Sequence, residues 1–329
     1  MNILTDKQSK KKVYDYKFSI ITAVYNTGIY LEEMIESVIN QDIGFEENIQ
    51  LILVDDGSQD NSLEICSKYK QRYSNIVILS VKHKGVSHAR NIGMSEIRGK
   101  YVNFLDSDDK LETNVLSEVW EFFEKNRNYI DVVTIPLYFF DQQQGGHILN
   151  YKFKKSEIVD IEKDYNFILL STSSSFIKSE LVKQHFFDEK LKYAEDAAFI
   201  TPIILKKKKY GVLNTCKYFY RKRGTLDSAT QEGSNNIDWF IDYVTNYSLK
   251  LLIDIEKKWN YIPKYVYYLV MYDLQWRVNI MHKLDKVHKE EFIRILRKVL
   301  KKVPLTIIIK QKNLSLRGRC HCLLIKYTV

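Results

Sequence analysis

Asp106, Ser107, Asp108 and Asp109 close a short apolar run, Gly99-Lys-Tyr-Val-Asn-Phe-Leu105, and set three carboxylates on four consecutive positions. Asp106 and Asp108 are two apart, so in an extended segment their side chains project to the same side. Such a pair suits a hard divalent cation, Mg²⁺ or Mn²⁺, that completes its shell with phosphate oxygens. A cation held there would neutralise charge developing on a phosphate leaving group. Taken alone, the pattern is also an ordinary acidic turn. Two further polar clusters end apolar runs, Tyr25-Asn26-Thr27 and Asp55-Asp56-Gly57-Ser58. Glu195-Asp196 precedes Ala197-Ala198-Phe199-Ile200 and reads as a helix-capping pair. Arg221-Lys222-Arg223 is either a phosphate clamp, to which arginine forks are suited, or a solvated charge run. Cys320-His321-Cys322 lacks a second ligand pair at zinc-finger spacing and reads as a terminal strand or tail.

These residues need a scaffold that presents them together. Phe18–Tyr25, Ile49–Val54, Ile76–Val81 and Tyr101–Leu105 are short β-branched runs. Between them Leu31, Met34, Ile35 and Val38, then Leu63, Ile65 and Tyr69, recur at helical spacing. Alternating strands and helices predict an α/β fold with a mainly parallel sheet covered on both faces. Ligands in such folds bind beyond the carboxyl ends of the strands, and all three clusters fall at such ends. After Asp131–Phe140 the pattern loosens into strands and loops up to about Tyr220. From Ile237 it is helical, through Trp239, Tyr243, Tyr247, Leu251, Tyr267, Val270, Leu274, Phe292, Ile295, Leu296 and Val299. The expected division is an N-terminal extension (1–17), an α/β domain (18–230) and a helical, basic C-terminal region (231–329). Lys206–Lys209 reads as a solvated face and Thr225–Asn236 as a polar linker.

The chain has 329 residues, 45% of them hydrophobic, with only 12 Gly and 4 Pro, which excludes overall disorder. Its net charge of +9 is uneven: residues 281–329 carry 13 Lys/Arg against 3 Asp/Glu, leaving 37 against 38 elsewhere. Phe292, Ile295, Leu296 and Val299 alternate with Arg294, Arg297, Lys298, Lys301 and Lys302. That pattern suits an anionic membrane surface, or a helix packed on the preceding domain with a solvated basic face. No feature points to nucleic acid, and oligomeric state is left open. Four scattered cysteines suit a reducing compartment without a disulfide framework. The N-terminus lacks a signal-peptide core, and Val303–Ile309 is too short to span a bilayer. The expected location is cytoplasmic, or peripheral at the inner face of the membrane.

Five blocks in order resemble the family 2 glycosyltransferases with a GT-A (Rossmann-like) fold: Phe18–Asn26, Ile52–Ser62, Gly85–Gly93, Gly99–Asp109 and Ala194-Glu195-Asp196. The resemblance covers roughly residues 18–228. It implies that Ala23, Tyr25 and Asp56 line the nucleobase and ribose pocket, that Arg90 helps bind a nucleotide-sugar donor, and that Asp106 faces the ribose. It further implies that Asp108 ligates Mn²⁺ or Mg²⁺, that Asp196 is the base of an inverting transfer, and that Arg221, Arg223 and Ser228 belong to a segment closing over the diphosphate. Ala23 and His83 stand where the family often has Pro and Asn, which leaves the donor sugar open. Tyr267–Arg277 is similar to tails in bacterial surface-polysaccharide, capsule and teichoic-acid synthesis proteins. The implied activity is transfer of a sugar, from a UDP-sugar, to a hydroxyl of a cell-surface glycan or lipid-linked precursor. The alternatives are a non-catalytic module binding a polyanion or membrane within a larger synthase, and alditol-phosphate or nucleotidyl transfer on the same fold.

Overall fold

The computed structural model describes residues 14–223 and 236–327. Its first half runs β1 (Tyr16–Val24), α1 (Gly28–Ile39), α2 (Phe45–Asn48), β2 (Ile49–Asp55), α3 (Ser62–Arg72), β3 (Ile76–Ser80), α4 (Val86–Gly93) and β4 (Gly99–Phe104). Then follow β5 (Lys110–Leu111), α5 (Val115–Asn126), β6 (Val132–Thr134), β7 (Leu137–Asp141), β8 (Gly145–Gly146), β9 (Glu157–Asp160), β10 (Ser175–Lys178), α6 (Ser179–Val182), α7 (Glu195–Lys207), β11 (Lys209–Val212) and β12 (Tyr218–Lys222).

One sheet has eight strands in the order β3-β2-β1-β4-β10-β6-β11-β9. The first four are parallel to one another, and β10 is inserted antiparallel between β4 and β6. This is the mainly parallel α/β sheet that the alternating pattern predicts. The period of two decides which face each side chain serves. Phe18, Ile20 and Val24 pack on the side of α1, α3 and α5. Ile21, Ile52 and Val54 pack on the side of α4 and α7. Both faces are buried, so the strands read as near-continuous apolar runs.

Register sets the rim. Val24 is opposite Asp55, and Phe104 is opposite Ile21, so the segments after β1, β2 and β4 emerge side by side. Gly93 permits α4 to settle onto this part of the sheet, since a Cβ there would lie 2.6 Å from Ile21 Cγ2 and 3.1 Å from Val54 Cγ2. The second sheet, β5-β12-β7-β8, brings β12 alongside β5, directly after the acidic cluster.

The C-terminal helices share the first domain's core rather than hanging from it. The helix Lys264–Ile280 is buried on nearly all sides, with Tyr265, Leu269, Met271 and Leu274 inside. The Tyr265 hydroxyl accepts from the Leu169 amide at 3.0 Å. Arg277 is buried between the Trp239 and Tyr243 rings and paired with Asp273 at 3.1 Å. In the helix Lys286–Lys302, the apolar side formed by Phe292, Ile295, Leu296 and Val299 is buried. Its role is the packing one of the two expected, and that side is not available to a bilayer. Cys320-His321-Cys322 lies within the helix Leu316–Tyr327, not in a strand or tail. Lys206–Lys209 is less solvated than its charge suggests: Lys207 pairs with buried Asp131 at 2.8 Å and Lys208 with Glu162 at 2.6 Å. Ser228 and residues 225–235 of the expected linker lie outside the described residues. Among the described residues, no helix is long and apolar enough to cross a membrane.

Candidate active site

The loops after β1 and β2 are stitched together by side-chain to backbone bonds. Ser58 Oγ accepts from the Asn26 amide at 3.1 Å, Asn26 Oδ1 from Gln59 N at 2.8 Å, and Asp60 Oδ2 from Gly28 N at 2.9 Å. Gly28 lets the Asn61 side chain lie close, since a Cβ would sit 1.9 Å from Asn61 Oδ1 and displace it. Ala23 is the partly buried residue just below the rim. Tyr25 is exposed, and its ring stacks on His83 at 4.0 Å between centroids and 17° between planes. Asp56 is buried beneath that stack. Its carboxylate accepts from Lys84 N at 3.0 Å and Gly85 N at 2.8 Å and pairs with His83 Nδ1 at 2.8 Å. Asp56 therefore holds the 83–85 loop against the strand end.

The acidic segment departs from the sequence expectation. Residues 106–109 form a turn, with Asp109 N donating to Asp106 O at 3.2 Å, and not an extended segment. The rule that places Asp106 and Asp108 on one side therefore does not apply, and their carboxylates part. Asp106 turns to Arg90 NH2 at 2.8 Å, while Asp108 receives Arg223 NH2 at 2.6 Å. Asp109 points inward and accepts from the Tyr218 hydroxyl at 2.6 Å and from Arg221 N at 2.7 Å. Burial pushes the Asp109 carboxyl well above the usual range, with the charges of Asp106 and Asp108 adding to the effect.

Arg90 is the centre of the network. Buried on α4, it donates to Asp106, to Asp196 Oδ1 at 2.7 Å and to Glu195 at 3.3 Å, and lies over the Phe187 ring. Asp196 and Glu195 sit in the first turn of α7, launched by Ala194 in the left-handed region at φ 60°. Asp196 Oδ2 also accepts from the Thr172 amide at 2.9 Å. The segment carrying Thr172 is tied to the sheet because Asn103 of β4 donates to the Ser173 and Ser175 carbonyls at 2.7 and 2.8 Å. Burial raises the Asp106 carboxyl to about 6; Arg90 opposes the rise, and Asp196 and Asp108 reinforce it. Burial likewise raises Glu195 to about 7, helped by Asp196 and opposed by Arg90.

The arginine in β12 and the one just after it differ. Arg221 is held by Glu33, by Asp141 at 3.2 Å and by the Asp108 carbonyl at 2.8 Å, with its guanidinium over the Tyr30 and Phe140 rings. Arg223, two residues on, presents its fork to Asp108. The geometry thus gathers Arg90, Asp106, Asp196, Asp108 and Arg223 on one rim, with Tyr25 and Asp56 on the adjoining strand ends. Glu195, Thr172, Asp109, Tyr218 and Glu33 belong to it as well. Asp109 and Glu195 lie inside the quoted motifs, but the remaining three meet the site only through tertiary contacts.

Among the described residues no group of three or more His, Cys, Asp or Glu converges as a ready-made metal cage. The donor set here is the two part-exposed carboxylates of Asp106 and Asp108, each paired to an arginine. That fits Mg²⁺ or Mn²⁺, which are commonly held by one or two carboxylates and complete their shells with substrate phosphate and water.

Residues 19–186 match the family described as Glycosyl transferase family 2. Over 322 residues the chain is 41% identical to the minor teichoic acid biosynthesis protein GgaB of Bacillus subtilis (strain 168), covering 96% of this chain and 36% of GgaB. Over 295 residues it is 37% identical to the minor teichoic acid biosynthesis protein GgaA of the same organism, covering 86% of this chain and 66% of GgaA. It spans about a third of the one relative and about two thirds of the other. The crystal structure of S. aureus TarS 1-349 in complex with UDP-GlcNAc superposes with a TM-score of 0.73 at 20% identity, covering 94% of this chain and 87% of that one, a likeness of fold. With the match extending over half of its length and the motifs assembled on one GT-A rim, the chain belongs to glycosyl transferase family 2.

Proposed function

We propose that this chain moves a sugar from a UDP-sugar to a hydroxyl of a teichoic-acid-type cell-surface polymer or its lipid-linked precursor, with inversion at the anomeric carbon. The observation that carries this reading is the bridge through Arg90 that places Asp196 beside the acidic rim. The stacked Tyr25–His83 pair would offer a flat face to the nucleobase, with Ala23 and the Asp56-anchored loop shaping the pocket. Arg223 would exchange Asp108 for diphosphate oxygens, and Arg221 would anchor the strand that carries it. Ser228 is assigned to the same diphosphate-covering segment on the resemblance alone. Asp108, with Asp106 beside it in the turn, would hold Mn²⁺ or Mg²⁺, whose chemistry is Lewis-acid neutralisation of the diphosphate. The acceptor oxygen attacks the anomeric carbon, its proton passes to the Asp196 carboxylate, and the bond to the diphosphate breaks to release UDP. The Thr172 amide and Arg90 keep that carboxylate aimed. The relatives' teichoic acid names support the acceptor class.

The test is turnover of UDP-glucose, UDP-galactose and their N-acetylated forms, with and without EDTA, on polyol-phosphate acceptors. Activity that survives chelation, or that survives in Asp196→Asn, would sink the mechanism. Donor phosphate appearing in the polymer would instead establish sugar-phosphate transfer, and turnover of a nucleoside-diphosphate-alditol added to the panel would establish alditol-phosphate transfer.

A further inference from the structure

The helix Leu316–Tyr327 is apolar on two opposite sides. Gly318, Cys322 and Ile325 are buried against neighbouring helices. At 100° per residue, Leu316, Cys320, Leu324 and Tyr327 fall on the other side. They face solvent, with Leu316 76%, Leu324 64% and Tyr327 65% exposed. Leu305 and Ile309, on the short helix packed against this one, are exposed too. A surface helix normally keeps such a stripe for the core.

Charge narrows what the stripe meets. Residues 281–329 hold 13 Lys/Arg against 3 Asp/Glu. Several of these cations turn inward: Arg297 donates to the Ile325 carbonyl, Arg319 to that of Gln311 and Lys326 to that of Val303. Lys298, Lys301, Lys310 and Arg317 are exposed, and their side chains have no ion-pair partner among the described residues. A second copy seated face to face would oppose two strongly basic surfaces. A soluble polyanion would satisfy the cations and leave the apolar stripe in water. An anionic lipid bilayer satisfies both: apolar side chains enter the headgroup boundary while lysine and arginine meet lipid phosphates.

We propose that the helix Leu316–Tyr327 is a bilayer-docking element, seated on an anionic membrane through Leu316, Cys320, Leu324 and Tyr327 with Arg317 and Lys310 at its margin. The surface is made by the C-terminal helices and does not depend on the reading of the active site.

The experiment is flotation of the full chain with phosphatidylcholine vesicles, with and without about 30% phosphatidylglycerol, at low and high salt. The expected result is partitioning roughly tenfold or more stronger on the anionic vesicles, weakened by salt. Replacing Leu316, Leu324 and Tyr327 by Asn together is expected to lower it about tenfold or more. Because these side chains are exposed, far-UV circular dichroism and nucleotide binding are expected to stay unchanged. Equal partitioning on neutral and anionic vesicles, or an unaltered triple variant, overturns the proposal. So does a concentration-dependent dimer, seen without vesicles and abolished by the triple variant, which assigns the stripe to a second copy.

Discussion

Glu195→Gln is expected to flatten the pH dependence of stability in a defined window. The Glu195 carboxyl has an ordinary value of 4.5 and sits at about 7 in the fold, chiefly through burial and secondarily through the charge of Asp196. A carboxyl raised by folding binds its proton more tightly in the native state. Its contribution is therefore fully present below about pH 4.5 and is lost as pH rises through about 7. The interval corresponds to a ceiling of about 3 kcal/mol, and because 19% of the side chain stays exposed, an effect of about 1–2 kcal/mol is expected. The Gln carbonyl can still accept from Arg90, so the geometry survives while the titration disappears. Asp109 is also raised but is common to both proteins, whereas Asp106 interacts with Glu195 and its titration responds in part to the replacement. Urea denaturation at pH 5, 6, 7 and 8, in EDTA and without donor, measures it. The variant's stability relative to wild type is expected to rise across the window and to level off above about pH 7.5. Parallel curves would refute the reasoning, because they would mean that the folded environment does not hold this proton.

Arg90→Ala is expected to destabilise the protein by about 3–5 kcal/mol, since it leaves Asp106, Glu195 and Asp196 without their shared cation; chemical denaturation reads it, and Arg90→Lys is expected to recover only part. Arg223→Ala removes the cation seated on Asp108. Without nucleotide it is expected to strengthen Mn²⁺ binding a few-fold, while UDP binding in the presence of Mn²⁺ weakens; calorimetric titration measures both. Gly93→Ala drives a methyl into Ile21 and Val54 and is expected to cost about 1–3 kcal/mol, seen as a lower Tm. Asn103→Ala frees the Ser173–Ser175 segment that presents Thr172 to Asp196, and is expected to lower kcat more than it raises KM.

The apolar runs at Phe18–Tyr25, Ile49–Val54 and Tyr101–Leu105 determined the parallel sheet by themselves, because a strand buried on both faces has little choice of composition. The clusters ending those runs were legible for the same reason: strand ends in such a sheet share a rim. Local geometry was less so. Asp106 and Asp108 look like neighbours on one side, yet the turn at 106–109 sends one to Arg90 and the other to Arg223, and spacing alone cannot distinguish a turn from a strand. The periodicity of the tail left two readings open. The helix at 286–302 has the amphipathic pattern of a membrane binder and spends its apolar side on the core, whereas the helix at 316–327, read as strand or tail, carries apolar residues on both sides. Periodicity reports that a face is apolar, not what covers it.

Tertiary structure alone decided the partners. Thr172, Tyr218 and Glu33 carry no motif, and they enter the site because the segment before β10, β12 itself and α1 deliver them to the same rim. Asp196 illustrates the division: its place before an apolar helix was written in the sequence, but its carboxylate is aimed by an arginine 106 residues earlier and by an amide 24 residues earlier. Those distances along the chain close only when the sheet registers β1 and β4 and the helices α4 and α7 pack on one face.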